Sequence, residues 1–128
     1  MQLIGSDMQV LPLPGRATER VITLILEGEL TLADLARVGD ELFRLANRGV
    51  RNVVLDFSQV GHLDFRGIRP LVARTALFRQ AGGDIRIAGL SGYVFHIFRA
   101  AGAHDAFKFF ASTDNARASF FPGAKLAG

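Results

Sequence analysis

At 128 residues, 49% hydrophobic and 21% charged, the chain has room for one domain with one buried core of ordinary size, and its composition is that of a globular fold. The absence of cysteine excludes disulfides, thiolate metal sites and a cysteine nucleophile. Charge is nearly balanced, 15 Lys+Arg against 12 Asp+Glu, and the thirteen arginines are scattered among acids, so even a pI near 10.2 builds no concentrated basic surface for nucleic-acid phosphates.

Met8–Leu13 and Val21–Glu27 read as two strands, divided by a turn at Pro14-Gly15 and expected to pair antiparallel at a sheet edge. Gly28-Glu29-Leu30 leads into Thr31, a helix N-cap with Asp34 three residues on. Leu32, Leu35, Val38, Leu42 and Leu45 then recur at helical spacing until Gly49, predicting a helix near Leu32–Arg48. Asn52–Phe57 is short, β-branched and apolar, as an interior strand covered on both faces requires. Ser58–His62 reads as a polar loop.

Asp64 follows, immediately before a second helical stripe of Ile68, Leu71, Val72, Ala76 and Phe78, which ends at Gly82-Gly83. Pro70 leaves two readings of its start. Either regular helix begins near Arg69, where proline is comfortable in the first turn, with Asp64–Ile68 as a reshaped lead-in, or a kinked helix starts at Phe65. Asp84–Ala88 is the next strand. Ser91 caps a short helix carrying Val94, Phe95 and Phe98 and closed by Gly102. Phe107–Phe110 forms a last strand, and Ser112 caps a final helix to about Phe120. The expected domain is 8–120, with 121–128 a flexible tail. The order β-β-α-β-α-β-α-β-α predicts an α/β fold with a mostly parallel interior sheet.

A catalytic set is hard to assemble. His62, His96 and His104 lie far apart in sequence and have no neighbouring acid at ligand spacing, so no metal site is expected. Gly89-Leu90-Ser91-Gly92-Tyr93 imitates a nucleophile elbow but lacks its second flanking glycine, and a helix cap accounts for Ser91 better. Asp56 and Asp64 could pose as an acid/base pair, yet closing a strand and capping a helix explain them more simply. No phosphate-binding glycine loop is present. The expectation is a non-enzymatic binding domain without cofactor. No apolar run nears the roughly 20 residues needed to span a bilayer, and MQLIGSDMQV has neither basic start nor apolar stretch for a signal peptide, so a cytoplasmic protein without membrane insertion is expected.

Val53–Gly67, VVLDFSQVGHLDFRG, resembles the STAS family, whose best-known members are bacterial anti-sigma factor antagonists. There an apolar strand ends in Asp-Leu-Ser, and a short loop leads to Asp-Ser-Ser-Gly-Leu. Leu26-Glu27-Gly28-Glu29-Leu30 resembles the family's Gly-Glu-Leu-Asp turn, with Thr31 in place of the aspartate. Ala81-Gly82-Gly83, Ser91, Val94, Phe98 and Gly102 match its later signposts. The resemblance implies a small four- or five-stranded mixed sheet with helices packed mainly on one side. It also implies a protein partner: an anti-sigma factor with serine-kinase activity, or a related signalling protein. Homodimers or larger assemblies belong to the same expectation, and direct nucleic-acid binding does not.

In the family the partner phosphorylates the second serine of Asp-Ser-Ser-Gly, and binding is lost. Here the motif is Asp64-Phe65-Arg66-Gly67-Ile68, so Arg66 occupies the acceptor position and no hydroxyl remains there. Two readings of Arg66 stand: drift in a degenerate copy, at a small helix-dipole cost, or a changed partner surface with an acidic counterpart. Arg66, Arg69 and Arg74 share one broad arc, either as a solvated face or as a docking face. The residues expected to bind a partner are Thr31, Asp64, Phe65, Arg66, Gly67 and Arg69. Alternative roles are a STAS subunit of a membrane-lipid transport complex, or a small-ligand or nucleotide sensor.

Overall fold

The structure is a computed structural model that describes residues 2–11 and 19–122. The Pro14-Gly15 turn and the residues beyond Pro122 lie outside the described residues. Five strands form one sheet: β1 (Gln2–Leu11), β2 (Glu19–Leu30), β3 (Asn52–Leu63), β4 (Asp84–Ala88) and β5 (Phe109–Phe110), in the order β1-β2-β3-β4-β5. β1 pairs antiparallel with β2, and every later pair is parallel. The α/β sheet with one antiparallel edge is the architecture the element order predicts.

Alternation along the strands divides the core in two. Ile22, Leu24 and Leu26 of β2, Val53, Leu55 and Phe57 of β3, and Ile85 and Ile87 of β4 face the larger core. Three helices cover it: α1 (Leu32–Asn47), α2 (Ile68–Gln80) and α3 (Gly92–Ala100). α1 contributes Leu35, Val38, Leu42 and Leu45, while α3 contributes Val94 and Phe98, whose ring meets Phe57 edge to face at 5.8 Å. On the other face Val21, Val54 and Ala88 pack with Ala116 and Phe121, from or just beyond α4 (Thr113–Ala118). Arg117 Nε donates to the buried Thr23 Oγ1 at 2.8 Å, and Arg86 donates to Ser119 Oγ at 2.6 Å while lying 4.1 Å from the centre of the Phe120 ring. Helices therefore gather mainly on one face, and α4 closes part of the other.

Several elements depart from the sequence expectations. Ser58–His62 is strand, not loop, because β2 also runs on, and Glu27, Gly28, Glu29 and Leu30 keep pairing with Gln59, Val60, His62 and Leu63. The last strand is only Phe109–Phe110, and the last helix stops at Ala118. Leu32 is exposed at the first position of α1, where the buried stripe has not yet begun. In α2, Ala76 faces solvent and Thr75 is buried in the stripe, its Oγ1 donating to the Val72 carbonyl at 2.7 Å. The hydroxyl thus meets its need within the helix.

Candidate functional site

The site forms where β2 and β3 end together. Gly28 takes φ +89° at a break in the β2–β3 register, a left-handed conformation that glycine adopts without a Cβ clash. Beyond it the Asp64 N–H donates to the Leu30 carbonyl at 2.9 Å, binding the two strand ends to one another. Thr31 then opens α1 through a reciprocal cap: its Oγ1 accepts from the Asp34 N–H at 3.1 Å, and Asp34 Oδ2 accepts from the Thr31 N–H at 2.9 Å. That backbone bond to Thr31 is the main reason the Asp34 carboxyl titrates below its ordinary range.

After β3 the chain makes a single 3-10 turn, Phe65–Gly67, before α2 begins at Ile68. Pro70 therefore lies in the first turn of α2, as the lead-in reading requires. Asp64 caps the turn, its Oδ1 accepting from the Arg66 N–H at 3.0 Å. The Arg66 side chain folds back on the same carboxylate, Nε to Oδ1 at 3.0 Å and Nη2 to Oδ2 at 2.6 Å, a two-pronged charge-assisted pair. The Arg66 side-chain hydrogen bond, followed by the Arg66 backbone bond, lowers the Asp64 pKa to about 2. The guanidinium at this helix entrance thus sits over a carboxylate, which offsets the unfavourable approach of a cation to helix amides.

Gly67 is buried beneath the turn against α1: a Cβ there would lie 2.4 Å from Leu35 Cδ1 and 2.9 Å from Leu35 Cβ. With Gly67 seated, Phe65 is thrown outward and is 57% exposed. Two hollows flank its ring. The larger, about 540 Å³, has Leu30, Leu63, Phe65, Ile97 and Ala100 as apolar wall and Glu29, Thr31, His62, Asp64 and His96 as polar rim. The smaller, about 190 Å³, lies between Phe65, Arg66 and Arg69 on one side and Ala100 and Ala101 on the other.

The residues singled out in the sequence therefore converge. Thr31, Asp64 and Phe65 border the larger hollow, Phe65, Arg66 and Arg69 the smaller, and Gly67 stands behind the turn as a packing residue. Arg74 is drawn away from that group: its guanidinium carbon lies 5.5 Å from the centre of the Phe43 ring on α1. Sequence reasoning missed the wall supplied by α3. His62 and His96, far apart in the chain, border the same hollow, and His62 Nδ1 is 2.8 Å from the Tyr93 hydroxyl with the two rings stacked. The Ser91 cap and the apolar spacing identify that helix, but no local signal says which strand end its exposed face meets. Ser91 Oγ accepts from the Val94 N–H at 3.1 Å, the cap geometry. Asp56 accepts from the Ser58 N–H at 2.9 Å, closing the parallel ladder with β4. No group of three or more His, Asp or Glu side chains among the described residues could hold a metal ion.

A parallel sheet of four strands with an antiparallel edge, three helices on one face and a capped turn that exposes Phe65 define a small α/β domain. Residues 15–116 match the STAS domain family, and the chain belongs to it. It is 26% identical over 95 residues to BtrV of Bordetella bronchiseptica, a candidate anti-sigma factor antagonist, covering 74% of this chain and 82% of that protein. The fold is shared with the Bacillus cell-fate determinant SpoIIAA, solved in its phosphorylated form, at a TM-score of 0.61 and 15% identity, covering 88% of this chain and 98% of that one. It is shared also with a segment of the murine anion transporter Slc26a9, at a TM-score of 0.68 and 14% identity, covering 95% of this chain and 23% of the transporter.

Proposed function

We propose that this domain is a regulatory binding module of the anti-sigma factor antagonist type, working in the cytoplasm on a kinase-type anti-sigma factor, and that it lacks the phosphorylation switch at the usual position. The observation that carries this reading is the Asp64–Arg66 pair. Arginine stands where the family has its acceptor serine, and it holds the turn in shape through its own carboxylate partner. The bound state would then be controlled by the amount of partner and not by phosphate on this turn. Thr31, Asp64, Phe65, Arg66 and Arg69 form the contact surface, with Gly67 setting its geometry.

Affinity capture from a native lysate with the wild-type chain and with Phe65→Asp as parallel baits tests the assignment. A serine-kinase anti-sigma factor retained by the wild type and lost by the variant is the expected result. The captured kinase should also leave the intact mass of the chain unchanged. A transporter ATPase retained in its place overturns the assignment in favour of a lipid-transport role. An added phosphate mapped to Ser58 would show the switch moved and not absent.

A further inference from the structure

We infer that the segment seated on this surface is amphipathic and acidic: an apolar side chain fills the larger hollow, and a carboxylate beside it meets Arg69 at the smaller one. This rests on the binding role proposed for the turn and specifies the chemistry of its partner. Phe65 is the natural anchor, a large aromatic ring standing between two hollows. It is preorganised, because the Asp64 N–H to Leu30 bond, the Gly67 N–H to Asp64 carbonyl bond at 3.0 Å and the Gly67 seat on Leu35 all fix the backbone that carries it. Less ordering entropy is then lost on binding.

Charge fixes the rest. The Asp64 carboxylate is already engaged by Arg66, so the exposed Arg69 is the surplus cation of the smaller hollow. Glu29 borders only the larger hollow, whereas Arg69 borders only the smaller, so the surface is polarised across the Phe65 ring. A segment with its carboxylate on the Arg69 side fits; the reverse orientation sets that carboxylate toward Glu29. The same polarity would orient the bound segment as well as select it.

A random-peptide display library panned against the 128-residue chain provides the test, followed by titration of the enriched peptides with wild type, Phe65→Ser and Arg69→Glu. Both substitutions are at exposed positions, and far-UV circular dichroism would verify that each variant keeps the fold. Enriched peptides should pair large apolar residues with Asp or Glu, and each substitution should weaken them about tenfold or more, the scale of a lost charge-assisted contact or aromatic anchor. Replacing the peptide's acid with Lys should restore binding to Arg69→Glu. Peptides that need Phe65 but are indifferent to Arg69→Glu, or are rich in Lys and Arg, would overturn the acidic chemistry and leave the site standing. Peptides indifferent to both substitutions would remove the site itself, and a library yielding no enrichment would overturn the inference.

Discussion

Arg66 bears on stability through Asp64. A carboxyl whose folded pKa is lowered from 3.8 to about 2 favours the folded state at pH values above its ordinary one, and that contribution fades as pH falls from about 4 through about 2. Arg66→Ser removes the two side-chain bonds but leaves the backbone N–H of residue 66 on Oδ1. The Asp64 midpoint should therefore rise toward 3.8 without reaching it, read by carboxyl-carbon NMR titration of both proteins. An unchanged midpoint would mean that the pair does not persist in solution.

Among the elements, the 3-10 turn depends on α1 more than on its own sequence. Gly67→Ala would drive a methyl into Leu35, which is buried and unable to retreat freely. Overpacking there should cost about 1–2 kcal/mol after the better helix propensity of alanine is allowed for, measured by urea unfolding. The exposed ring of Phe65 would shift with the turn, so partner affinity should fall along with stability.

The capped elements were legible from sequence for a local reason: Thr31 with Asp34, Ser91 with Val94, and Ser112 with Asn115 each close a hydrogen bond within three residues. Pro70 narrowed the start of α2 to two readings, and the helix that begins at Ile68 matches the one with a lead-in. The far half of β3 was not legible, because register breaks after Ile25 and Gly28 disrupt the two-residue alternation, and Val60 and Leu63 are buried at a spacing of three. The α3 wall was illegible for a different reason. Local periodicity identifies that helix, but only the tertiary fold sets His96, Ile97 and Ala100 beside the end of β3.

At the scale of the whole molecule, the sheet separates the two cores, and β3 serves both, with Val53 and Leu55 on one side and Val54 on the other. Leu55→Ala should lower unfolding free energy by about 2–5 kcal/mol, since a fully buried side chain would leave a cavity that packed neighbours cannot fill. Urea denaturation should register the loss as an earlier midpoint with little change in slope. A loss under about half a kcal/mol, the range of surface substitutions, would contradict the interior placement of β3.

Strand order in the sheet is also strand order in the chain. During synthesis from the N-terminus, each new strand can therefore join the edge laid just before it, and none has to be threaded between two already paired. The sheet can grow in one direction as the ribosome delivers it. Growth finishes at Phe109–Phe110, a terminal edge two residues long that offers a neighbouring nascent chain very little to copy.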